Sequence, residues 1–322
     1  MTILFKNFRW KSSLLGLLCL SSSFQVSAIM LEFDFTYDTR GFFTDATTGA
    51  PIIERRNLLQ TAATYYAGFT DHLTAITPGS GDSWSVSFVH PSLDGPAVTL
   101  QDATISADTV RLYVGGSPSA PGVLGFAGNG FNLTASGSSA FQDSVFERGQ
   151  VNTQGSNAAD FGPWGGYIWF NANNDWHFGE TTSGQAAHQP DFLTTAIHEI
   201  GHVLGFGEAD SWFSQTENGF FTGSAATQSY GSAVPLDPFS AHWAEGTSSD
   251  VSGLIQETLM DPSTPLGTRQ LLTTLDYAGF SDIGWQVTAV PLPASIWFLF
   301  SAITVSIPFW RRQQKRPVAC AT

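Results

Sequence analysis

Apolar and polar residues alternate in LEFDFTY, residues 31–37, and predict a strand. The next apolar stripe has a longer period. Leu58, Leu59, Ala62, Tyr65 and Tyr66 recur at helical spacing within residues 55–69, which predicts an amphipathic helix. Through residues 83–146, short β-like runs are broken by Gly, Ser, Pro and Asp. The clearest of them, residues 104–116, sets Val110, Leu112 and Val114 on one face. Residues 165–179 read as a further strand with a turn-rich exit. A helix follows in FLTTAIHEIGHVLG, with Asp191 placed to cap it and Phe192, Ala196, Ile200 and Val203 able to face a core. The remainder, to Trp285, reads as loop with late helices, and no fixed-period repeat is present. The order predicts an α+β fold: a twisted mixed sheet, few helices and a loop-rich C-terminal part.

The two ends have another character. Lys6, Arg9 and Lys11 precede a short apolar run at 13–20 and a small-residue VSA at 26–28, so residues 1–28 read as a signal peptide removed by signal peptidase. At the other end VPLPAS, residues 290–295, opens a stretch in which 17 uncharged residues follow Pro293, just enough for a membrane helix. Arg311, Arg312, Lys315 and Arg316 then hold the chain end in the cytoplasm and the body outside. This tail, residues 290–322, resembles the PEP-CTERM sorting signal of Gram-negative bacteria. The resemblance implies processing by an exosortase-type enzyme and membrane contact only through this segment before processing. It also implies a final place in the periplasm, at the cell surface or in the extracellular matrix.

Setting the ends aside changes the charge. They carry seven of the 13 basic residues and none of the 27 acidic ones. Residues 29–289 therefore set six arginines, and no lysine, against 27 carboxylates, a formal charge of −21. Such a body repels nucleic acid and anionic membranes, which excludes both as partners. It leaves Ca2+ open as a ligand of acidic groups. Both cysteines, Cys19 and Cys320, fall in the ends, so the body has no disulfide and no thiol chemistry.

The chemistry-bearing stretch is H-E-x-x-H at His198, Glu199 and His202. Two imidazoles four apart project from one helix face and can grip one zinc ion. Glu199 sits one step round, placed for a water that zinc activates rather than for the metal itself. A catalytic zinc takes three protein ligands, so a third remains to be found.

His198, Glu199, His202 and Gly205 stand in H-E-x-x-H-x-x-G-x-x-E, which resembles the metzincin metallopeptidases. In that family the glycine turns the chain after the helix, and a His or Asp three residues later completes the zinc site. Here the position is Glu208, a departure that leaves a glutamate as one candidate. Further on, an Ala-His-Trp at 241–243 and a Leu-Met-Asp-Pro at 259–262 resemble the leishmanolysin-like branch. There an insertion, here residues 220–237, separates the glycine from the third histidine. That match makes His242 the other candidate and Met260 the residue of a Met-turn beneath the zinc. Three neutral histidines would leave the ion its full charge, whereas a carboxylate ligand would weaken it. The resemblance also implies an edge strand that pairs with extended substrate, assigned to residues 165–178, and a tyrosine, Tyr277, near the oxyanion. His72, His90, His177 and His188 are expected to be structural or exposed.

The expected protein is thus a secreted zinc endopeptidase acting on polypeptides, with a zincin catalytic domain over residues 29–289. The alternative is a non-enzymatic exported surface or matrix protein with a structural zinc, for which residues 83–146 would form a structural module.

Overall fold

A computed structural model describes residues 28–288 of the chain. Residues 1–27 of the expected signal peptide and the sorting segment at 290–322 lie outside the described residues. No helix among the described residues is long and apolar enough to cross a membrane.

In chain order the first half contains β1 (Met30–Asp34), α1 (Ile53–Thr64), β2 (Ser83–Phe88), β3 (Val98–Gln101), β4 (Thr109–Ser117), β5 (Gly125–Gly128), β6 (Phe131–Ser136), α2 (Ser139–Phe146) and β7 (Gly165–Asn171). The second half contains α3 (Phe192–Val203), α4 (Asp210–Phe213), β8 (Thr216–Glu217), β9 (Phe220–Phe221), α5 (Ser224–Tyr230), β10 (Val234–Pro235), β11 (Ser248–Val251), β12 (Leu254–Glu257) and α6 (Thr274–Asp282). The fold is mixed α+β with several small sheets.

Its centre is a four-stranded sheet in the order β1-β4-β7-β5. β1, β4 and β7 run parallel, and β5 closes one side antiparallel to β7. β4 is buried on both faces, as a central parallel strand must be. Val110, Leu112 and Val114 join Ile168 and Phe170 of β7 in the core that also holds Leu58 and Leu59 of α1 and Ile197 and Ile200 of α3. Tyr113 points the other way, into a second core with Trp84, Phe88 and Trp164. That second core lies between the central sheet and a three-stranded antiparallel sheet in the order β3-β2-β6. Residues 83–146 are therefore divided between two layers of the same body, with β2, β3 and β6 in this sheet and β4 and β5 in the central one. Arg148 ties this layer down: it is fully buried, and its guanidinium donates to the carbonyls of Thr74, Pro163, Ser106 and Thr109.

Three expectations are corrected. The helix predicted at 55–69 stops at Thr64, because the chain must turn to place Tyr66 and Phe69 face to face in the core, 5.3 Å apart. The last eight residues of the β-like region form α2, whose first turn is capped by the Ser138 hydroxyl accepting from the Phe141 amide at 3.3 Å. Finally, the strand assigned to substrate pairing, β7, is interior, with β4 on one side and β5 on the other. The free edge on that side of the sheet belongs to β5, which a short, Gly-rich sequence (GFAG) does not announce as a strand.

Candidate metal centre

Helix α3 carries the H-E-x-x-H residues and is buried almost all round; only His198 is partly open. Asp191 caps it as expected, its carboxylate accepting from the Thr194 amide at 2.8 Å. The same carboxylate pairs with Arg269 at 2.8 Å, and Arg269 also donates to the carbonyls of Gly179 and Glu180, pinning that loop to the helix start. At the other end Gly205 takes φ +96°, a left-handed conformation suited to glycine. Its amide donates to His202 O and that of Phe206 to Gly201 O, the double bond of a Schellman turn. The chain is thereby sent away from the helix axis, as Gly205 was expected to send it.

It returns through residues 220–237, which are not a loose insertion. Phe221, Ala226, Val234 and Leu236 are buried in the main core. Asp237 then accepts from the amides of Ala241 and His242, at 2.8 and 3.2 Å, and aims the next side chain back at α3.

His198, His202 and His242 come together, and they form the one group of three or more ligand-type side chains among the described residues that can hold a metal ion. Glu208 is not in it. The tautomers are fixed from behind. His198 Nδ1 donates to Leu259 O and His202 Nδ1 to Phe206 O, both at 2.8 Å, while His242 Nδ1 faces Asp237 at 3.5 Å. Carbonyls only accept, so the Nε2 atoms present lone pairs. His198 and His202 Nε2 are 3.1 Å apart, and His202 and His242 Nε2 are 3.0 Å apart. Lone pairs facing at that distance repel unless a cation lies among them. Nitrogens about 2.0–2.1 Å from a tetrahedral zinc are separated by about 3.3 Å, so the three residues fit a small divalent ion. Burial first, then the neighbouring imidazole, pushes His198 and His202 down to about 3. His242 is lowered by the same causes, opposed by Asp237. All three are neutral at pH 7, the state that binds metal.

Glu199 is only 4% exposed, and its Oε2 has no hydrogen-bond partner. Burial alone pushes its carboxyl up to about 8. It lines a cleft of about 770 Å³ together with the three histidines, Glu208 and residues 122–127, which include the start of β5.

Met260 is fully buried under α3, where a Cβ built on Gly201 would come 2.8 Å from its sulfur. Its turn is joined to the histidines on both sides: Leu259 O holds His198, and Met260 O accepts from the Trp243 amide at 3.0 Å. Tyr277 is elsewhere. Its hydroxyl donates to Tyr65 O at 2.9 Å, and it lines a separate cavity of about 440 Å³, so it does not serve an oxyanion in the cleft. His177 is buried with Nε2 on Thr181 O, His72 and His188 pair with Asp108 and Asp175, and His90 packs on Tyr37. His188 also reaches the cleft wall. No acidic cluster of the kind calcium needs appears among the described residues.

Sequence reasoning missed Asp237, Arg269 and Asp276. Asp276 had a signal: Thr273-x-x-Asp276 is a capping-box pattern, and both of its bonds are made.

Neither a family model, nor a curated protein, nor a solved structure matches the chain.

Proposed function

We propose that this protein is an exported zinc endopeptidase on a metzincin-like plan, closest in its ligand order to the leishmanolysin-like branch. One observation carries the reading: three neutral imidazoles converge beside a buried, unpartnered carboxylate in a cleft bordered by a free strand edge. His198, His202 and His242 would hold the metal. When bound, zinc supplies Lewis-acid polarisation and lowers the pKa of water to about 7. The outer N–H and C=O groups of β5 offer main-chain pairing to an extended polypeptide. Glu199 takes a proton from the attacking water and returns it to the leaving amine. A cation held beside it would oppose the effect of burial and favour the carboxylate form that accepts the proton. The signal-like and sorting-like ends support export and delivery to the surface or matrix.

A structural zinc in a non-enzymatic surface protein would call for four protein ligands. The described residues offer three, the number that a catalytic zinc takes, and Glu208 does not complete a fourth.

The test is zinc stoichiometry and casein hydrolysis by the purified protein and its Glu199→Ala variant. One zinc per chain is expected in both, with hydrolysis about 10²–10⁴-fold slower in the variant. Equal rates would remove Glu199 from the mechanism, and a chain without zinc would remove the metal.

A further inference from the structure

Asp261, one residue past Met260, is a buried acid that the metal centre does not use. It is 1% exposed. Its Oδ1 accepts from the Ser263 amide at 3.2 Å, and its Oδ2 has no donor. The side chain within hydrogen-bonding range of its carboxyl is another acid, Glu257 at the end of β12. A third acid, Glu245, stands close by and accepts from the Ser263 hydroxyl at 2.5 Å. Among the described residues no cation answers them. Arg40, Arg111 and Arg269 pair with other carboxylates, and Arg55, Arg56 and Arg148 donate to backbone carbonyls. Nor do the three carboxylates converge closely enough to grip a metal ion.

Two carboxylates in contact and away from water cannot both be ionised at low cost. A proton shared between Asp261 and Glu257 removes the conflict and supplies the donor that Oδ2 lacks. Burial first, then Glu257 and Glu245, against the opposing Ser263 amide, hold that proton on the pair up to about 8, where a carboxyl ordinarily loses it at 3.8.

The shared proton joins two parts of the chain. On one side Glu257 ends the β11–β12 hairpin, whose Leu254 and Ile255 are exposed. The hairpin has few other ties: Gln256 Nε2 donates to Leu271 O at 2.6 Å, and the Ser249 and Thr274 hydroxyls meet at 2.9 Å. On the other side Asp261 continues the turn in which Leu259 O holds His198 and Met260 O accepts from the Trp243 amide.

We propose that Asp261 and Glu257 form a proton-held latch that fastens the β11–β12 hairpin to the Met260 turn and releases it as pH rises. The latch does not depend on the endopeptidase reading. Its closed form keeps a proton that the open form, with both carboxylates in water, gives up above about 4. Opening therefore gains up to about tenfold per pH unit between about 4 and about 8, and levels off beyond.

The test is amide hydrogen exchange of the whole protein from pH 5 to pH 8, each rate corrected for its intrinsic pH dependence. Protection of the hairpin is expected to fall more than about tenfold relative to that of β4. Asp261→Asn keeps an acceptor for the Ser263 amide and sets an NH₂ against Glu257, so its hairpin should stay closed across the range. Glu257→Gln should do the same from the other side. Hairpin protection that does not move in the parent overturns the latch, as do variants that open like the parent or a loss shared equally by β4. One Ca2+ bound per chain at pH 6 by the parent, and none by Asp261→Asn, would make the pair a cation site and overturn it too.

Discussion

Two buried carboxylates flank the histidine cluster and differ in how they are satisfied. Asp276, under the Met260 turn, accepts from the Thr273 amide and hydroxyl, the Leu259 and Met260 amides and the Trp243 indole, at 2.7–3.3 Å. Glu199, in the cleft, leaves one oxygen without a partner. Desolvation raises both, but at Asp276 the donors oppose it, and at Glu199 nothing does. A satisfied carboxylate locks its neighbours in place. An unsatisfied one costs stability, and it keeps its lone pairs for something that arrives later. The region of Asp276 thus builds the site, and the region of Glu199 leaves hydrogen-bonding capacity unused beside the histidines.

The sharpest way to break this contrast is to remove Asp276. Asp276→Leu strands five donors and is expected to cost about 3–5 kcal/mol in denaturant unfolding. A loss below about 1 kcal/mol would mean that the turn is held some other way.

Glu199 should show the opposite behaviour. Its folded pKa is about 8 against an ordinary 4.5, so its contribution to stability is present below 4.5 and is lost as pH rises through 8. His198 and His202, lowered to about 3 from 6.5, act in the other sense and lose their contribution as pH falls from 6.5 toward 3. Glu199→Gln removes only the first effect. In chelator-treated protein the variant should gain on the parent as pH rises from 4.5 to 8, by on the order of 2–4 kcal/mol. Parallel stability curves would show that Glu199 is solvated in the folded state.

The smallest effect is expected at Asp237, whose contact with His242 Nδ1 is long, 3.5 Å. Asp237→Asn should weaken zinc affinity about tenfold, read by competition with a chromogenic chelator. No change would assign the aiming of His242 to the backbone alone.

Much of this was legible along the chain. The period of α3, its Asp191 cap and the Gly205 turn are local, and local pattern predicts them. His242 and Met260 were legible only by resemblance, since nothing in the intervening residues says that the chain returns to the helix. β5 escaped because four residues with two glycines carry no strand signal, yet tertiary packing makes them the edge beside Glu199. Arg269 and Asp276 act across 78 and 17 residues to Asp191 and Leu259, distances that no periodicity reports.

The handling of the arginines has a consequence for how neighbouring copies meet. The described residues contain no lysine, and of the six arginines only Arg40 is exposed. Arg148 is sealed inside its cage of carbonyls, Arg269 is clamped on Asp191, and Arg55 and Arg56 lie over phenylalanine rings. The described surface is therefore left with carboxylates and almost no cations to answer them. Copies crowded together would repel one another, most strongly at low ionic strength, and would resist aggregation without a covering partner.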